Sequence, residues 1–287
     1  TSQDVVRRLF RERLAEEVAV PFNKRTLDNI DVRGKTVLMR VDFNVPLADG
    51  AITDDRRIVL SLDSIRSVTR RGGRVVLASH LGRPAGMGPE PGLSMAPCAE
   101  RLRELLPGTR VLLAPDCVGD IVEGLVVELN DGDILLLENL RFHHGEKDRD
   151  PGFAGQLAEL GEIYCHESFG TAHRKDASMI ALPEVMGQRG CARVAGLLLR
   201  REIEQLSEAF ESPSRPFLAV LGGAKVSDKL SAIENIAKRV DTILIGGAMA
   251  YTFLLGQGVS VGASRVEKPV VAQSAQMLAR LEKAGVK

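Results

Sequence analysis

The chain has 287 residues, of which 44% are hydrophobic and 26% charged, and its 38 basic and 38 acidic side chains give a formal net charge of zero. That length holds one large domain or two ordinary ones. The even balance excludes a global field for nucleic acid or membrane, and no apolar run approaches the ~20 residues of a membrane span.

At the N-terminus, Val6, Leu9, Phe10, Leu14 and Val18 follow helical spacing. This predicts an amphipathic helix over 5–18 within a helical extension covering residues 1–26. Glu12, Glu16 and Glu17 argue against a transit peptide, and no apolar signal core is present.

From there apolar, β-branched runs alternate with helical patterns. Strands are predicted at 36–41, 74–80, 110–114, 134–138 and 162–165, with helices at 57–70, 96–106 and 151–160 between them. Such alternation of near-continuous apolar strands with helices means a parallel sheet covered on both faces. The first strand runs into Arg40-Val-Asp42-Phe-Asn44-Val-Pro46. Its polar residues recur at every second position, so they share one side, and Pro46 ends the strand. Ligands of open α/β sheets sit beyond strand C-termini. That makes Asp42 and Asn44 site candidates.

Later segments reach the same edge. Ser79-His80-Leu-Gly82-Arg83-Pro84 follows the second strand, Leu137-Glu-Asn-Leu-Arg141-Phe142 the fourth, and Phe169-Gly-Thr-Ala-His173-Arg174 the fifth. Arg57 opens the helix after the first strand. Four arginines just past strand ends (Arg57, Arg83, Arg141 and Arg174), with His80 beside them, predict a site for a small and highly anionic ligand.

Residues 192–210 read as one long helix, followed by the breaker Ser212-Pro-Ser-Arg-Pro216. Beyond it come strands at 217–223 and 241–247 and helices at 226–239, 248–255 and 269–284. Gly222-Gly223-Ala-Lys225-Val-Ser-Asp-Lys229 joins the first of these strands to its helix. The glycines allow backbone N–H groups close to a phosphate, and the lysines are four apart. Gly246-Gly247-Ala248-Met249 repeats the design. Two such turns predict a nucleotide pocket, although the Walker spacing is absent. The pattern gives domains at 27–191 and 213–287 with an interdomain helix and linker at 192–212. The second domain has only two clear strands, so a fragment of a longer chain is expected. No Ser/His/Asp or Cys/His triad is evident. Cys98, Cys117, Cys165 and Cys191 form no Cys-x-x-Cys pair, so no metal ligands and no disulfides are predicted, and reduced thiols in the cytoplasm are the expectation.

Taken together, segments 40–46, 80–84, 138–143, 169–174 and 222–229 resemble the motifs of the phosphoglycerate kinase family, in the family's order. The resemblance implies two Rossmann-like three-layer α/β domains with parallel sheets joined by a long helix, the second domain incomplete. It implies a glycolytic phosphotransferase that moves a phosphoryl group between 1,3-bisphosphoglycerate and ADP, giving 3-phosphoglycerate and ATP. Asp42, Asn44, Arg57, His80, Arg83, Arg141 and Arg174 would bind the phosphoglycerate. Gly222, Gly223, Lys225, Lys229, Gly246 and Gly247 would hold Mg-ATP or Mg-ADP, the magnesium mainly through the nucleotide. Arg57, Lys225 and Lys229 would act on the phosphoryl group in transfer. A monomer is implied for a complete chain. The family's Asp-Ala before Phe169 is Glu167-Ser168 here, and Ala248 stands at a glycine position. The alternative expectation is a truncated, non-catalytic homologue that binds 3-phosphoglycerate or serves as an interaction module.

Overall fold

The structure is a computed structural model that describes residues 24–287; the helix expected over 5–18 lies outside the described residues. Two compact units divide the chain, the first ending at Gln205 and the second spanning Leu206–Lys287.

The first unit is built on a six-stranded sheet. Its strands are β1 (Thr36–Arg40), β4 (Arg74–Ala78), β5 (Val111–Leu113), β6 (Ile134–Leu136), β7 (Ile163–His166) and β8 (Ala192–Ala195). They lie in the order β5-β6-β4-β1-β7-β8, and every pair is parallel. Alternate residues feed opposite cores. Val37, Met39, Val75 and Leu77 enter one apolar cluster, Leu38, Val76, Ala78 and Leu135 the other. Helices Arg56–Thr69 and Ala96–Leu105 cover the first face, and Asp120–Val127, Pro151–Ala158 and Ala181–Gln188 the second. Side chains of the central strands β1 and β6 therefore leave water whichever way they point, which is why such strands read as unbroken apolar runs.

A short antiparallel hairpin, β2 (Leu47–Ala48) and β3 (Ala51–Ile52), turns at Asp49 (φ 51°) and Gly50 (φ 78°). Positive φ at both central residues is the tight-turn geometry that Asp-Gly favours.

The long helix predicted over 192–210 is two elements. Ala192–Ala195 pairs with β7 as the sixth strand, and the helix occupies Leu197–Glu211. Gly196 separates them, at a point where a Cβ would overlap the Glu167 carboxylate. That carboxylate accepts from the amides of Leu198 (3.1 Å) and Leu199 (3.2 Å) and from the Ser64 hydroxyl, and Ser64 Oγ accepts from the Leu197 amide (2.8 Å). Three unsatisfied N–H groups of the helix start are thereby paired. The glutamate at 167 thus has a role that its place in the sequence did not reveal.

In the second unit β9 (Leu218–Gly222) and β10 (Thr242–Gly246) are parallel and in register, from Leu218 opposite Thr242 to Gly222 opposite Gly246. Helices Leu230–Ala237, Ala248–Gly256 and Val271–Lys283 pack around Val226, Ile233, Met249, Phe253 and Met277. The helix expected from residue 226 begins only at Leu230, after a 3-10 turn at Ser227–Lys229. Glu267 explains the delay. Its carboxylate accepts from the amides of Val226 (2.7 Å) and Ser227 (3.1 Å) and from the Ser227 hydroxyl (2.6 Å), which holds this stretch as a turn. Among the described residues, no helix is long and apolar enough to cross a membrane.

Candidate functional site

Strand β1 ends at Arg40, and the chain continues extended along β4, with the Val41 amide donating to Ala78 O (3.0 Å) and the Phe43 amide to Ser79 Oγ (2.8 Å). Asp42 and Asn44 therefore stand just past the strand end. Asp42 accepts from the Arg57 guanidinium, which comes from the first turn of helix Arg56–Thr69. Asn44 Oδ1 accepts from the Gly82 amide (2.8 Å), and the same glycine's carbonyl accepts from Arg141 Nη1 (2.9 Å). Three strand ends are tied through both sides of one residue. Gly82 has φ +63°, a backbone conformation that favours glycine, and a Cβ there would press on the Leu93 side chain.

Asn139 fixes the turn that carries Arg141. Its Oδ1 accepts from the amides of Leu81 (3.2 Å) and Arg141 (3.1 Å), while Nδ2 donates to the carbonyls of Leu81 (2.8 Å) and Leu93 (2.9 Å). Arg141 is buried and lies 3.5 Å from Asp176. Burial lowers its pKa by taking the charged guanidinium out of water, and repulsion from the nearby Arg174 guanidinium lowers it further.

His80 is fully buried. Its Nδ1 lies 3.2 Å from Arg40 Nη2, a nitrogen that can only donate. Nδ1 must accept, so the neutral ring carries its proton on Nε2. Burial first, then the guanidiniums of Arg40, Arg141, Arg174 and Arg57, push the His80 pKa down to about 2. The ring is thus a neutral hydrogen-bond donor through Nε2, which is buried and has no partner among the described residues.

Arg40 is held from behind. Nε donates to Ser178 Oγ (2.8 Å), Nη1 donates to the Val41 carbonyl, and Ser178 Oγ donates to Glu146 Oε1 (2.6 Å). Glu146 is fully buried, and its pKa is raised by burial against the opposing pull of Arg40. The reading of the sequence did not place Arg40, Asn139, Glu146, Asp176 or Ser178 in the site. Their partners are distant in the chain, so spacing gave no signal; only the polar alternation starting at Arg40 pointed there.

Two expected residues are less tied down. Arg174 is half-buried, and its Nε is enclosed without a hydrogen-bond partner. Arg83 is exposed and forms no ion pair among the described residues.

In the second unit, the two glycine turns lie side by side. The Met249 amide donates to the Gly223 carbonyl (2.9 Å), and a Cβ at Gly247 would come within 3.0 Å of that same oxygen. Gly247 has φ +70°, so both conformation and space select glycine there. Lys229 passes over the first turn, its Cε 3.4 Å from where a Gly223 Cβ would be. Lys225 is exposed and precedes the 3-10 turn, so the two lysines do not share a helix face.

The family model for Phosphoglycerate kinase matches residues 27–287. Phosphoglycerate kinase from Rhodopirellula baltica is 54% identical over 258 residues, spanning 90% of this chain and 64% of that protein. The enzyme of Chloroherpeton thalassium is 48% identical over 264 residues, spanning 92% and 65%. Among solved structures, phosphoglycerate kinase from Coxiella burnetii superposes with TM-score 0.78 at 33% identity, covering 92% of this chain and 65% of that one. This chain therefore spans about 65% of the length of the relatives it matches.

Proposed function

The chain belongs to the phosphoglycerate kinase family, and on that premise we propose that the protein transfers a phosphoryl group reversibly between 1,3-bisphosphoglycerate and ADP, giving 3-phosphoglycerate and ATP. The first unit takes the phosphoglycerate and the second the nucleotide. One observation carries the reading. His80 Nε2, Arg141 Nε and Arg174 Nε are three buried donor nitrogens without partners among the described residues, all in the group of charges around His80. Buried donors are normally paired. Carboxylate and phosphate oxygens of a small polyanion supply the missing acceptors.

The roles follow from the surroundings. Arg141 and Arg174 neutralise the ligand, His80 donates to it as a neutral ring, and Asn44 holds the Gly82 turn in place. Arg57 is half-exposed and paired with Asp42, so it can exchange that carboxylate for a ligand oxygen and face the phosphoryl group. Arg83, exposed and without an ion pair among the described residues, would reach the ligand from the rim. In the ATP-consuming direction the nucleophile is a carboxylate, already anionic, so no general base is needed. A histidine locked as a donor is consistent with that.

The two glycine turns offer backbone N–H groups and the ammonium groups of Lys225 and Lys229, a donor set that fits nucleotide phosphates. Gly222, Gly223, Gly246 and Gly247 let the chain approach them closely. A magnesium ion would be carried by the nucleotide's own phosphates, and when bound it neutralises charge there. The closeness of Lys229 to Gly223 supports a role for it in holding the transferring group. The four cysteines are free thiols, in keeping with a cytoplasmic enzyme.

Calorimetric titration of this chain with 3-phosphoglycerate tests the assignment. Arg141→Ala is expected to weaken binding ~100-fold, about 3 kcal/mol, as a charge-assisted fork is lost. Equal affinities in variant and parent would remove the basic cluster from the substrate site.

A further inference from the structure

We propose that Asp116, Cys117 and His143 form a binding site for a divalent transition-metal ion of the zinc class. Asp116 and Cys117 follow β5, and His143 follows the turn Leu140–Phe142 beyond the neighbouring strand β6. Each contributes one donor atom, and the carboxylate oxygen, the sulfur and the ring nitrogen all lie within 4.8 Å of one another.

The three donor atoms lie within reach of one common ion, and two of them now pair directly. His143 Nε2 and Asp116 Oδ1 are 2.5 Å apart. In a tetrahedral site with bonds of 2.0–2.1 Å those two atoms would be ~3.3 Å apart. Both side chains are partly exposed, so the required opening of under ~1 Å is open to them. The His143 ring stacks on Phe153, with centroids 5.0 Å apart, which orients it.

The chemistry selects the ion. A thiolate, an imidazole and a carboxylate together suit zinc, whereas magnesium and calcium require oxygen ligands. The Cys117 thiol now donates to the Glu138 carbonyl (3.1 Å), so the metal would replace its proton. Access exists as well. A cavity of about 790 Å³ lined by Met87, Asp116, His143, His144 and Asp150 reaches Asp116 and His143, while Cys117 is fully buried. No Cys-x-x-Cys spacing announces the site, because its ligands come from two loops that meet only across adjacent strands.

Titration of the purified 287-residue chain with Co²⁺, followed by competition with Zn²⁺, decides the matter. The expected result is saturable uptake of one ion per chain with a thiolate-to-cobalt charge-transfer band, both reversed by zinc. Cys117→Ser should abolish the band, Cys191→Ser should leave it, and His143→Ala and Asp116→Ala should each weaken binding at least ~10-fold. Absence of saturable uptake, uptake without the band, or a band that survives Cys117→Ser overturns the proposal. If the buried Cys117→Ser variant does not fold, the His143→Ala variant carries the test, and undiminished cobalt affinity there overturns it equally.

Discussion

The two parallel sheets of this protein meet solvent in opposite ways. Every residue of β1 is buried, whereas β9 alternates between half-buried and exposed positions, with Val220 72% exposed. Leu218, Val220 and Leu244 lie exposed on the β9–β10 pair. The runs Thr-Val-Leu-Met-Arg and Leu-Ala-Val-Leu-Gly look alike as sequence. An apolar run thus identifies a strand of the doubly covered type, but not whether both covers are in place in the chain at hand. The same contrast extends to the chemistry. In the first unit Arg40 and His80 are locked by a buried chain, Glu146 to Ser178 to Arg40 to His80. In the second, Lys225 stands on an exposed turn held by Glu267.

The contrast can be broken most sharply by matched deletions. Leu135→Ala, in the fully buried β6, is expected to lower the stability of the first unit by about 2–5 kcal/mol, from lost burial and a residual cavity. Denaturant unfolding measures this. A cost below about 1 kcal/mol would mean that the first sheet is not sealed as described.

Acid titration gives the next largest effect. His80 has an ordinary pKa of 6.5 and a folded one of about 2. Its folded value is depressed by desolvation and arginines, so its neutral form favours folding above 6.5 and that contribution is lost as pH falls toward the folded value. Between pH 7 and pH 5 the loss is about 2 kcal/mol. His80→Gln should flatten this part of the stability profile by that amount. A profile unchanged by the substitution would place a solvated histidine at this position.

Gly247→Ala sharpens the picture of the second unit. A left-handed backbone and a Cβ 3.0 Å from the Gly223 carbonyl should cost about 1–2 kcal/mol, read by hydrogen exchange in β9 and β10. Undiminished protection would show that the two turns are not pressed together. The smallest effect is expected at Leu244→Ala, on the open face of the second sheet. Its side chain is 52% exposed, and the change should stay within about 0.5 kcal/mol. A loss as large as that at Leu135 would show the two sheets to be equally covered and end the comparison.

The sequence by itself determined the class of fold and pointed to the polar groups that gather just past the strand ends. Period-two and helical patterns placed five of the six strands of the first sheet, and polar residues just past strand ends led to Asp42, Asn44, Arg57, His80 and Arg141. These features are local, so they are written in short stretches of chain. Tertiary structure decided what those groups are. It made β8 a strand, because its pairing with β7 and the Glu167 carboxylate at Gly196 outweighed a helix-like apolar pattern. It set His80 as a neutral donor, because Arg40 from a neighbouring strand faces Nδ1 and burial removes water. It recruited Asn139, Glu146, Asp176 and Ser178, none of which any spacing rule marks. Protonation, orientation and pairing depend on atoms brought together from distant parts of the chain, and only the assembled sheet fixes which atoms those are.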